Sequence, residues 1–185
     1  DRTRDPVTLR VSDDGEGIFR KITAALNLPD ERLALLELSK GKLTTDPRRH
    51  TGEGVFFTSR MFDRFLIASG ELVFDHDDAE ADDLLDDIEP RYARRGTTVL
   101  MEIATKSKRT AKHVFYKFSS GPDYYAFAKT VVPLRLAKFG DENLVSLSQA
   151  NLLIYRVDHF RTVLLYLSLF GIVWQAFSDY VFSVF

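Results

Sequence analysis

The chain has 185 residues and no cysteine. Disulfides and thiolate-held metals are thereby excluded, and the absence fits a reducing, cytoplasmic setting. Long apolar runs are also lacking. The uncharged stretch 162–178 falls short of the roughly 20 mostly apolar residues that a membrane span needs, and Ser168, Gly171 and Gln175 interrupt it. It reads as a buried strand followed by an amphipathic helix, and a membrane-tethered regulator is the least favoured reading. No apolar leader is expected from this start, since Asp1-Arg2-Thr3-Arg4 runs directly into a strand-like segment. There is no initiating methionine, so the chain is expected to begin within a longer protein. A net charge of -2 argues against a general nucleic-acid binder, despite a local cluster at Arg91, Arg94 and Arg95. His-Glu-x-x-His and Gly-x-Ser-x-Gly motifs are missing, and the four histidines lie far apart in sequence. Each histidine reads as a surface or structural residue.

What is present is enough apolar residue, 45%, to bury a core. Val7, Leu9 and Val11 alternate with polar residues at the period of a half-buried strand. Ile18, Phe19, Ile22, Ala25 and Leu26 then recur at helical spacing, ending near Asn27. Pro29 suits the cap or first turn of a second helix carrying Leu33, Leu35, Leu36 and Leu38. Residues 39–54 read as a long polar loop. A helix is expected over 55–65, then a hairpin over 66–74 turning at Ser69-Gly70, and a strand over 97–103. The acidic run 75–89 reads as a solvated, extended loop. Its Asp75-x-Asp77 start resembles a calcium loop, but Glu80 stands where a glycine is required. This order predicts an α+β domain, a mixed and mostly antiparallel sheet with helices on one face. Beyond a basic boundary at 106–109, a helix is expected over 111–118, a turn over 119–122 and a strand over 130–136. A helix over 146–157, an apolar run over 163–173 and a closing helix with Phe177, Val181 and Phe182 complete a small second α/β unit.

Three glycine motifs stand at the edges of these segments: Asp13-Asp14-Gly15-Glu16-Gly17, Thr51-Gly52-Glu53-Gly54 and Gly96-Thr97-Thr98. A carboxylate followed by closely spaced glycines suits adenine: the carboxylate accepts from the exocyclic amine, and the glycines let backbone approach the rings. On this reading the aspartate is buried. A glycine-bearing loop ahead of a helix offers backbone N–H groups to phosphate oxygens. Lys40, Lys42, Arg48 and Arg49 add positive charge to that loop. The plainer alternatives are a strand-to-helix turn at 13–17 and a ligand-free lid at 51–54. A Rossmann fingerprint would need glycine at position 20, which is Arg20, and a P-loop ending at Gly41-Lys42 would need it at position 36, which is Leu36.

In this order the motifs resemble the boxes of the gyrase, heat-shock chaperone, histidine-kinase and mismatch-repair ATPases, the GHKL group. The resemblance covers about residues 5–105. The run from Leu38 to Asp46 with His50-Thr51-Gly52-Glu53-Gly54 is similar to bacterial histidine-kinase-like ATP-binding proteins. The resemblance implies a two-layer α/β sandwich over 1–106 that binds ATP, with Asp13, Gly15, Gly17 and Thr97 around adenine and Thr51, Gly52, Glu53 and Gly54 as the phosphate-side lid. The group also carries an earlier helix with a Mg2+-binding asparagine and a catalytic acid or base. Only a dozen residues precede Asp13, so the resemblance supplies no Mg2+ ligand and no catalytic residue here. The chain is therefore expected either to be a piece of a longer protein or not to turn ATP over as the group does. The stretch from Val132 to Glu142, with Gln149-Ala150 and residues 175–179, resembles a STAS-like domain, implying such a module over 107–185 and a protein partner. No serine or threonine stands at 173–176, where related STAS proteins are phosphorylated. The expectation is an ATP-binding signalling protein. The alternative is an interaction module with a vestigial nucleotide site. Catalysis, substrate and oligomeric state stay open.

Overall fold

The computed structural model describes residues 6–44, 48–77, 84–87, 94–121, 124–134, 162–167 and 172–177. The chain divides into two compact units, Asp1–Val114 and Phe115–Phe185.

In the first unit the alternating start forms strand β1 (Val7–Ser12). The helically spaced residues form α1 (Ile18–Leu26), which stops where Asn27 takes a left-handed conformation at φ 52°. Helix α2 (Glu31–Lys40) begins at Asp30, whose carboxylate accepts from the backbone N–H of Arg32 at 2.8 Å. A cap of this kind stabilises a helix by ~1 kcal/mol. Helix α3 (Gly54–Met61) is shorter than the 55–65 expected, and β2 (Arg64–Gly70) already begins at Arg64. Asp63 enforces the break: its N–H donates to the Glu102 carbonyl at 2.8 Å and its Oδ2 accepts from the Ala104 N–H at 2.6 Å. The Asp63 Oδ1 also accepts from Arg109 Nη2 at 3.1 Å.

Strand β3 (Leu72–Asp77) returns antiparallel with Ser69 opposite Leu72, so the hairpin turns at Gly70-Glu71, one residue later than read from the sequence. The acidic run is not wholly a loop. Asp75 is buried in β3 and receives the Arg64 guanidinium at 2.6 and 3.2 Å, while β4 (Leu84–Asp87) pairs with β3. Strand β5 (Arg94–Ile103) completes a five-stranded antiparallel sheet in the order β1-β5-β2-β3-β4.

One face of this sheet carries Phe65, Ile67, Leu72 and Phe74, which pack with Phe19 and Ile22 of α1 and Ala34, Leu35 and Leu38 of α2. Burial of each large apolar side chain contributes roughly 1.5–3 kcal/mol. The class is thus α+β, with helices against one sheet face. The cover is incomplete. Val7, Leu9 and Val11 oppose Ile103, Met101 and Val99 and so share their face, yet they stay 47%, 48% and 62% exposed.

Helix α4 (Ala111–Phe118) spans the division between the units. In the second unit β6 (Ser119–Gly121) pairs with β7 (Tyr124–Phe127), where the sequence suggested a turn and no second strand. Strand β8 (Lys129–Leu134) runs parallel to β9 (Thr162–Leu167), which pairs antiparallel with β10 (Ile172–Phe177). Phe177 therefore ends a strand and does not belong to a closing helix. The helix expected over 146–157, Val181 and Phe182 lie outside the described residues.

Candidate functional site

The first and third glycine motifs meet at one end of the sheet, although more than 80 residues separate them (|i−j| = 84 for Asp13 and Thr97). Strand β1 ends with Ser12 opposite Thr98, their hydroxyls 3.0 Å apart. Asp13 then donates its N–H to the Thr97 carbonyl at 2.9 Å. The Asp13 Oδ1 accepts from the Gly15 N–H at 2.7 Å and from the Thr97 N–H at 3.3 Å. The Thr97 hydroxyl accepts from the Ile18 N–H at 3.0 Å. This oxygen caps α1 from another strand, because the residue at the cap position, Gly17, has no side chain to do so. Ser69 in β2 donates from a buried hydroxyl to the Gly96 carbonyl at 2.8 Å.

Two of these glycines are required by space and by backbone. At φ 82°, Gly96 sits where a Cβ would overlap the carbonyl oxygen of Asp13. At φ 93°, Gly17 would place a Cβ 2.6 Å from the Ser69 hydroxyl. The motifs are thus interlocked parts of one junction. Asp13 itself is exposed, which corrects the expected buried aspartate. Both of these bonds fall on Oδ1, so Oδ2 keeps acceptor capacity to spare.

The second motif lies on another side of α1. Thr51, Gly52 and Gly54 line a cleft of about 490 Å³ together with Ile18, Lys21 and Ile22 of α1. Gly52, at φ 77°, folds back so that a Cβ would lie 2.6 Å from the carbonyl carbons of Lys42 and Leu43. Glu53 occupies the cap position of α3, its carbonyl accepting from the Phe57 N–H at 3.0 Å. Desolvation pushes the Lys42 ammonium below its usual pKa, and the nearby Glu53 carboxylate partly offsets this. His50 also lines the cleft, and Leu43 and Val55 join it to the core.

Lys40 is not part of this loop's charge. It ends α2, is 1% exposed, and holds its Nζ 2.6 Å from Glu37 Oε1. Arg48 and Arg49 are exposed on the turn.

The structure therefore brings Asp13, Gly15, Gly17 and Thr97 together. It gathers Thr51, Gly52 and Gly54 around a cleft that those four do not line. Ile18 links the two, bonded to Thr97 through its N–H and lining the cleft. Sequence reasoning missed Ser69 and Lys21. For Lys21 a signal existed, since Ile18, Lys21 and Ile22 fall at i, i+3 and i+4 on one helix face. Among the described residues no group of three histidine or carboxylate side chains could hold a metal, so no Mg2+ step is assigned. Comparison with protein-family models, curated proteins and solved structures gives no match to this chain.

Proposed function

We propose that the chain binds an adenine nucleotide, as a cytoplasmic regulatory protein of the GHKL kind with a STAS-like second module over 107–185. The observation that carries this reading is the Asp13 carboxylate. Its Oδ1 is held by Gly15 and Thr97, which leaves the Oδ2 of this exposed side chain as an acceptor for a ligand. A carboxylate fixed in this way is a ready acceptor for the adenine amine. Lys21, Thr51 and the N–H groups leading into α3 would meet phosphate oxygens from the cleft side. The proposed activity is nucleotide binding within a signalling protein, and this reading assigns no catalytic residue.

The second reading, an interaction module with a vestigial site, draws on a specific observation. The Asp13 bonds are those of an ordinary turn, and Asp13 does not line the cleft used by the lid. Base selectivity separates the two. ATP should bind at least tenfold more tightly than ITP, which has a carbonyl in place of the amine. Equal affinities in a competition titration, or no binding of either nucleotide, would favour the interaction module.

A further inference from the structure

We infer that β1 is a self-pairing edge through which two copies of this chain join their sheets. Strand β1 ends the sheet and has one neighbour, β5, among the described residues. The Asp13 N–H to Thr97 bond marks Asp13 and Thr97 as a hydrogen-bonded pair. By antiparallel alternation, Val7, Leu9 and Val11 direct their backbone groups to β5, and Thr8, Arg10 and Ser12 direct theirs outward. Among the described residues no strand pairs with these outward groups, which makes them a template for a further strand. The same strand carries the uncovered apolar row Val7, Leu9 and Val11.

The row fits its own copy. An antiparallel pairing with Leu9 opposite the second copy's Leu9 sets Val7 against Val11 and Val11 against Val7. Thr8 and Arg10 then exchange backbone bonds, which are the outward groups the strand has to offer. The apolar rows of both copies merge on the helix-covered side of a continuous ten-stranded sheet, counted from five strands per copy. On the other side, Thr8 stands opposite Glu102 and is 3.5 Å from its carboxylate. The second copy's Arg10 would lie across Thr8 from Glu102, about 10 Å away between backbones, within reach of two long opposite charges. Sliding the pairing so that Arg10 faces Arg10 would set like charges together, which disfavours that register. Pro6, with no N–H to donate, limits the pairing at its end. A short edge of this kind gives a weak dimer, with dissociation roughly in the micromolar range.

The absence of cysteine makes the register directly readable. Leu9→Cys places two thiols in a non-hydrogen-bonded pair, with Cα atoms about 4.5 Å apart, a separation a disulfide spans. Under mild oxidation this variant should cross-link at least tenfold faster than Tyr116→Cys, an exposed control. Val7→Cys mixed with Val11→Cys should cross-link as a heterodimer. Thr8→Pro removes an outward N–H and no bond to β5, so it should shift sedimentation from dimer to monomer with unchanged circular dichroism. Cross-linking of Leu9→Cys at the control rate would overturn the inference. So would a monomeric chain at tens of micromolar, including one in which a segment of the same chain shields the thiol introduced by Leu9→Cys.

Discussion

Thr97 and Gly96 show how much of the junction depends on single atoms. The Thr97 hydroxyl is the cap of α1, so Thr97→Val should destabilise the fold by ~1 kcal/mol, whereas Thr97→Ser keeps the acceptor and most of that stability. Gly96→Ala combines left-handed backbone with overlap on the Asp13 carbonyl and should cost about 2–4 kcal/mol in chemical denaturation. Lys42 gives a pH signature. Its folded pKa lies below the ordinary 10.5, so the unfolded chain binds the extra proton between the two values. Wild-type stability relative to Lys42→Met should therefore rise as pH climbs toward 10.5, and a flat difference would remove the desolvation argument. At this scale the sequence was informative about glycine and silent about distance. The Asp13 and Thr97 partners could be named, but neither the exposure of Asp13 nor the Ser69 hydroxyl was readable, because both depend on packing between β1, β2 and β5.

At the scale of elements, legibility followed periodicity. Strand β1, helices α1 and α4, and strand β5 have clean periods or clear end signals, and each was anticipated to within a few residues. The misplaced boundary between α3 and β2 falls at Phe62-Asp63-Arg64-Phe65, where the three-residue spacing of the two phenylalanines also suits a continuing helix. Strand β4 was hidden because its aspartates suggested a solvated loop. Strand β10 was hidden because the apolar run over 163–173 carries into it, and apolar residues in a short run suit either element. Asp63 is the physical stop that the pattern did not reveal. Asp63→Ala removes acceptors for the Ala104 N–H and Arg109 and should lower stability by about 2 kcal/mol, measured by urea unfolding.

At the scale of the molecule, the chain is two compact units joined within α4, and the candidate site lies wholly in the first. The same strand that delivers Asp13 to the junction ends the sheet among the described residues, so the proposed nucleotide site and the proposed self-association would share one element. The claim on which the rest depends is that Asp13 reads adenine. Asp13→Asn keeps an oxygen for Gly15 and Thr97 but replaces the open acceptor with a donor, leaving the turn intact while opposing the amine. Calorimetric titration of ATP into the wild-type chain and into folded Asp13→Asn is the direct test. The account predicts measurable binding to the wild type and at least a tenfold loss in the variant. Equal affinity for both, or no heat of binding to the wild type, would contradict it.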